Sequence, residues 1–254
     1  MNMQSTPESS ESVLIVENLS VSFDGFKAVD DLSFDIKKDE LRVIIGPNGA
    51  GKTTVLDLIC GRTASSSGSI KFRGKELTRM KEHQIVRAGV GRKFQTPSVF
   101  ENLTVFENLE ISFPRGRNVL GSLLFRRDAE VKDRVREVAE TIFLEGVLDK
   151  SAAELSHGQK QWLEIGMLLI QEPELLMLDE PVAGMSVSER TKTAELLNKI
   201  ITGRSVIVIE HDMKFVKDIA HKVTVLHQGK VLSEGDMETV QNDPKVVEVY
   251  LGHN

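Results

Sequence analysis

The run GPNGAGKTT, Gly46 to Thr54, constrains this chain more than any other stretch. It satisfies the spacing G-x-x-x-x-G-K-[ST] in full. It follows LRVIIG, Leu41 to Gly46, a short apolar run of the kind that forms a buried strand. It opens a helix expected from Lys52 to about Cys60 and ended by Gly61. Strand, glycine loop and helix in that order let a backbone wrap a phosphate with its N–H groups turned inward. The cradle is expected to comprise Gly46, Pro47, Asn48, Gly49, Ala50 and Gly51. Lys52 is expected to reach the β- and γ-phosphates of a nucleotide, Thr53 to ligate Mg²⁺ and Thr54 to touch the remaining phosphates.

The rest of the chain fits an α/β frame around that loop. Val13 to Phe23 and Leu32 to Lys38 alternate as strands, and Gly68 to Gly74 reads as a short one. From about Thr78 to Gln171 the pattern becomes mostly helical. Val131, Val135, Val138 and Ile142 recur at helical spacing within Asp128 to Gly146. Phe113 to Asp128 mixes loop and apolar–basic character, read as a local loop and short helix, with a membrane-surface or partner-binding segment the alternative. Strands return as continuous β-rich runs at Glu174 to Glu180 and Ser205 to Asp212, as in a parallel sheet covered on both faces. Ser186 and Glu189 form a capping box between them, and Lys222 to Gly235 reads as two strands joined at a Gln-Gly turn. The expectation is a parallel α/β core with a helical insertion near residues 78–170.

Bulk properties exclude several classes. A net charge of −6 gives no basic face for nucleic acid. One cysteine, Cys60, excludes an internal disulfide framework and suits a reducing compartment. No apolar run approaches the roughly 18 residues of a membrane span. The polar, acidic start MNMQSTPESSES is not a secretory signal, and residues 1–12 are expected to be a disordered tail ahead of a domain spanning 13–254.

Two further sites carry chemistry. LLMLDEP sets Asp179 and Glu180 at the C-terminal end of a buried strand, the edge where open α/β sheets bind ligands. Asp179 suits the Mg²⁺ side, and Glu180 suits a group that polarises the attacking water. LSHGQKQWLEI, Leu155 to Ile165, opens a second helix with Ser156 as cap and Gly158 behind it. Such an N-terminus attracts an anion. A GTPase is disfavoured, because the nearest string to N-K-x-D is NKII at Asn198, inside an expected helix.

With these residues placed, the chain from about Val13 onward resembles the ATP-binding subunits of ABC transporters. The resemblance implies a P-loop ATPase with a parallel core sheet, an antiparallel N-terminal β part and a helical subdomain. GRKFQTP resembles the glutamine loop and implies that Gln95 reaches metal and water; EHD implies His211 as the γ-phosphate switch; Phe23 stands where the family stacks an aromatic on adenine, with Phe26 close by. LSHGQ resembles the signature motif, which in the family faces ATP held by a second subunit in a head-to-tail sandwich. Ser156 and Gly158 are therefore expected to bind the partner's phosphate. His157 replaces a glycine of that motif, so its side chain must point away from the phosphate. Ser186 stands where the family has an aspartate that speaks across the dimer, which puts that contact in question.

The implied cofactors are ATP and Mg²⁺. The implied partners are two transmembrane permease subunits, a second ABC ATPase in a homo- or heterodimer and, indirectly, an extracytoplasmic solute-binding protein. The implied location is peripheral, on the cytoplasmic face of the membrane. GRKFQTPSVFENLTVFENLE, LDEPVAGM and VVEVYLG resemble the branched-chain amino acid and urea importer group, with urea the expected solute and branched-chain amino acids or short amides the alternative. A soluble ABC ATPase for protein remodelling would use the same motifs. A DNA-repair ATPase would need a long heptad run that this chain lacks.

Overall fold

Apolar alternation at the start of the chain and continuous apolar runs further on build two different sheets. The computed structural model describes residues 12–93, 99–114 and 129–251. In chain order the elements are β1 (Ser12–Phe23), β2 (Phe26–Lys37), β3 (Leu41–Ile45), α1 (Lys52–Ile59), β4 (Ser67–Phe72), β5 (Lys75–Glu76), α2 (Glu82–Arg87) and β6 (Val90–Lys93). Then come α3 (Val105–Ile111), α4 (Ala129–Thr141), α5 (His157–Leu169), β7 (Leu175–Asp179), α6 (Val187–Ile200) and β8 (Ser205–Ile209). The chain ends with α7 (Met213–Ile219), β9 (Lys222–His227), β10 (Lys230–Gly235), α8 (Met237–Gln241) and α9 (Pro244–Leu251).

The alternating strands form an antiparallel sheet of order β2-β1-β4-β5. Asp24 and Gly25, both at positive φ, close the β1–β2 hairpin. The apolar strands form the core sheet, β10-β9-β3-β8-β7-β6, parallel except for β10. Every residue of β3, β7 and β8 is buried, because both faces are covered. Leu41, Val43 and Ile45 pack on the side of α5 and α6, whereas Ile44 packs on the side of α1 and the antiparallel sheet.

One strand departs from expectation. β6 lies inside the stretch read as helical, pairs with β7 and completes the core sheet. Its sequence, VGRK, lacks an apolar pattern because two of its buried side chains are cations. Arg92 Nη1 donates to Asp57 Oδ1 at 2.7 Å, and Lys93 Nζ lies 3.2 Å from Glu164 Oε2. Removing one partner of such a buried pair costs about 3–5 kcal/mol.

Between β6 and β7 the elements among the described residues are helical. Val131, Val135 and Val138 of α4, with Ile142 just beyond it, are buried as their spacing predicts. A Cβ on Gly166 of α5 would lie 2.4 Å from Ile142 Cδ1 and 3.0 Å from Leu109 Cδ2, so the glycine permits this crossing. Trp162 seats α5 on α6, its Nε1 donating to Thr193 Oγ1 at 2.9 Å. Most of Phe113 to Asp128, and nearly all of residues 1–12, lie outside the described residues; Ser12 itself begins β1.

A charged centre lies within the core. Arg42 on β3 is fully buried and donates to Glu40 Oε1 at 2.6 Å, Thr224 Oγ1 at 2.8 Å, Glu234 Oε2 at 2.6 Å and Asp35 O at 2.8 Å. It ties β3 to β2, β9 and β10.

Candidate functional site

β3 delivers the chain to the glycine loop, which its neighbours hold tightly. Gly46 (φ 156°) could not carry a Cβ, which would lie 2.3 Å from Leu226 O. A Cβ on Gly51 (φ 100°) would lie 2.4 Å from Ala28 O. Gly229 N–H donates to Ala50 O at 3.1 Å, and Ala50 N–H to Pro47 O at 3.1 Å. At the apex, by contrast, a Cβ on Gly49 would meet nothing within 4 Å, so the loop is open on its ligand side. Gly51 is the N-cap of α1 and supplies no side-chain cap, which leaves the first N–H groups of the helix for an anion. Lys52 Nζ donates to Gly46 O at 2.7 Å and Pro47 O at 3.1 Å, curled into the loop it serves. Burial pushes the Lys52 pKa down, and the charges of Glu180 and Asp179 partly restore it. Thr53 and Thr54 follow in the first turn, both half-buried.

The two acids stand where β7 ends. Asp179 is 2% exposed, with Arg92 Nη2 3.9 Å from its Oδ2. Glu180 has left the strand in a left-handed conformation (φ 48°), and its N–H donates to Ile209 O at 3.0 Å. That turn aims its carboxylate outward. His211 follows β8, and its Nδ1 lies 3.4 Å from Glu180 Oε1. Lys52, Asp179, Glu180 and His211 thus converge beyond the C-terminal ends of β3, β7 and β8. Gln95 lies outside the described residues. Phe23 and Phe26 are cross-strand neighbours at the hairpin tip, 47% and 64% exposed, so neither ring is core.

Among the described residues, no group of three His, Cys, Asp or Glu side chains could hold a metal. One buried carboxylate and one hydroxyl, Asp179 and Thr53, are a hard-oxygen pair. They suit Mg²⁺, which takes few protein ligands and relies on substrate phosphates for the rest.

The second helix N-terminus is built differently. Ser156 caps α5 and accepts from Gln159 N–H at 3.2 Å in a capping box. The Ser156 hydroxyl donates to Glu189 Oε1 at 3.1 Å. A Cβ on Gly158 would lie 2.3 Å from that same oxygen, so Glu189 lies over the start of the helix. Glu189 also accepts from Ser186 N–H at 2.9 Å and Ser186 Oγ at 2.8 Å. The Ser186 bonds lead in holding its pKa below the usual value, helped by Ser156 and His157. His157 turns toward the loop after β7, with Nε2 3.0 Å from Ala183 O, as the substitution requires.

Three residues here were not singled out from the sequence: Arg92, Glu189 as a partner of the signature serine, and Glu210. Glu210 is 1% exposed and accepts from Val182 N–H and His211 N–H. The signal available was a carboxylate inside an otherwise apolar strand end, SVIVIEHD.

Comparison with known proteins bears on this geometry. Residues 29–183 match the family described as ABC transporter, and residues 230–254 the one described as branched-chain amino acid ATP-binding cassette transporter. The chain is 34% identical over 247 residues to the probable branched-chain amino acid transport ATP-binding protein LivG of Archaeoglobus fulgidus, covering 94% of this chain and 95% of the relative. It is 35% identical over 252 residues to the high-affinity branched-chain amino acid transport ATP-binding protein LivG of Salmonella typhimurium, covering 96% and 99%. A crystal structure of the ADP conformation of an ATP-binding cassette of an ABC transporter aligns with TM-score 0.83 at 32% identity, covering 95% of this chain and 99% of that one. A nucleotide-free cassette aligns with TM-score 0.81 at 31% identity, covering 94% and 99%.

Proposed function

This chain belongs to the ABC transporter family as its ATP-hydrolysing cassette, and we propose that it energises import of branched-chain amino acids. This proposed solute is the alternative to the expected urea. The C-terminal match at residues 230–254 and the relatives named for branched-chain amino acids favour the alternative. The transported molecule does not touch this subunit, so the motifs shared within the importer group could not distinguish the two.

The observation that carries the catalytic reading is the convergence of Lys52, Asp179, Glu180 and His211 at one edge of the core sheet. Lys52 and the N–H groups of the loop hold the β- and γ-phosphates. Thr53 and Asp179 are the side chains that would hold Mg²⁺, which when bound with the nucleotide would neutralise charge on the phosphates. Glu180 orients and polarises the attacking water. His211 contacts the γ-phosphate, and Gln95 reaches metal and water. Phe23 stacks on adenine. Ser156 and Gly158 receive the γ-phosphate of ATP bound to a second subunit, so two nucleotides close a head-to-tail dimer. That closure pulls two membrane subunits, and the chain works peripherally at the cytoplasmic face. Among the described residues no helix is long and apolar enough to cross a membrane.

The deciding experiment is uptake of labelled leucine and labelled urea in cells carrying wild-type or Lys52→Ala protein. Loss of leucine uptake alone is expected. Loss of urea uptake alone would overturn the solute assignment. No change in either, with no membrane subunit co-purifying, would favour a soluble remodelling ATPase.

A further inference from the structure

A buried carboxylate without hydrogen bonds is so unfavourable that the group neutralises instead, so the partners of Glu210 show what it does. Its side chain is 1% exposed. Its oxygens accept from two different loops. Oε1 takes Val182 N–H at 3.3 Å, from the loop after β7, and Oε2 takes His211 N–H at 3.1 Å, from the loop after β8. One further bond joins the same regions, Glu180 N–H donating to Ile209 O at 3.0 Å, while Glu210 N–H donates to Ile44 O at 3.4 Å on β3. The residues so joined flank the 3.4 Å approach of His211 Nδ1 to Glu180 Oε1.

The two groups it serves are themselves poorly anchored. The side chains of His211 and Glu180 are 69% and 38% exposed, so packing does little to fix their separation. Glu180 also sits in a left-handed backbone conformation that a non-glycine residue keeps only when its surroundings hold it there. The Glu180 N–H bond to Ile209 O and, two residues on, the Val182 N–H bond to Glu210 brace that turn. Burial raises its pKa, and the N–H groups of His211, Val182 and Asp212 oppose that rise by favouring the charged form.

We propose that Glu210 is a positioning residue for hydrolysis: its carboxylate bridges the loops carrying Glu180 and His211 and sets their spacing, without touching nucleotide. This rests on the reading of Glu180 and His211 as the hydrolytic pair.

Glu210→Gln tests it, because the amide keeps the shape but turns one acceptor into a donor facing a backbone N–H. In the full chain, kcat for ATP is expected to fall about tenfold while KM stays within about twofold. The Val182 and His211 amides should exchange hydrogen faster than in the wild type. His211→Ala in the Glu210→Gln background should cost little beyond His211→Ala alone, because both remove one device. Glu210→Asp, which keeps the charge but shortens its reach, should fall between wild type and Glu210→Gln, and it carries the test if the amide variant does not fold.

Wild-type kcat in both variants would overturn the inference. So would losses that multiply in the double variant, or a KM rise that matches the kcat loss. If His211→Ala and Glu180→Gln each leave hydrolysis intact, the reading of the hydrolytic pair falls, and this inference with it. If those two are slow but Glu210→Gln is not, this inference alone falls.

Discussion

Two helix N-termini are proposed for phosphate chemistry, and they differ in what their own chain supplies. α1 begins at Gly51 with no side-chain cap, backed by a lysine and an apex open to ligand. α5 begins at Ser156 with a complete capping box, and the Glu189 carboxylate already lies against its serine and over Gly158. The first is a cradle furnished in one chain. At the second, Lys160 is engaged by Glu101, and the charged group over the helix start is the chain's own Glu189 carboxylate. A helix dipole and a serine therefore do not by themselves make a nucleotide site. The lysine, the left-handed glycines and the acids beyond β7 make the difference, and α5 suits the lighter task of completing a site on another molecule.

The comparison can be broken hardest at Lys52. Lys52→Ala is expected to lower ATP hydrolysis on the order of 100-fold or more, since phosphate positioning is most of the catalysis. Steady-state turnover alongside nucleotide binding checks it. Glu180→Gln should come next, with turnover down about 10²- to 10⁴-fold while ATP still binds. Gel filtration with ATP should then show a persistent dimer, and rapid turnover by that variant would sink the assignment of Glu180.

Ser156→Ala sharpens the contrast. It should cost about 1 kcal/mol of helix capping and slow hydrolysis roughly tenfold, with ATP affinity of the single chain unchanged. Mixing Lys52→Ala and Ser156→Ala chains should restore activity, because one of the two shared sites then has an intact loop and an intact signature helix. No restoration would mean that the two termini act within one chain.

The smallest effect is at Glu189. Its pKa is held below the ordinary 4.5, chiefly by Ser186. Its bonds therefore contribute stability above the ordinary carboxylate range, and the contribution fades as pH falls through the lowered pKa. The difference in Tm between wild type and Glu189→Gln should be present at neutral pH and vanish in acid. A difference that persists in acid would show that something other than the charge is responsible.

Much of this was legible in the sequence because local rules carried it. Gly46 to Thr54, the continuous apolar runs within β7 and β8, the cap at Ser156 and the box at Ser186 each need only neighbours in sequence. What was not legible depends on distant partners. β6 reads as polar because Arg92 and Lys93 are buried by Asp57 and Glu164, which belong to helices on opposite sides of the sheet. Glu210 reads as one more charge until Val182 is placed beside it. Glu189 was visible as a cap but not as the neighbour of Gly158, because that contact joins α6 to the start of α5.

The Arg42 centre has a consequence for how the chain is made. β3 feeds the phosphate loop, yet it lies between β8 and β9, and its arginine pairs both with nearby Glu40 and with Glu234 near the other end of the sequence. On a ribosome, the strand that carries the nucleotide loop emerges early and must wait for nearly the whole polypeptide before its charge can be enclosed. Contacts of such long sequence separation slow folding. The nascent chain thus passes through a long interval in which Arg42 has Glu40 beside it but not yet Thr224 or Glu234. Chains cut short before β10 should therefore be degraded faster than the full chain.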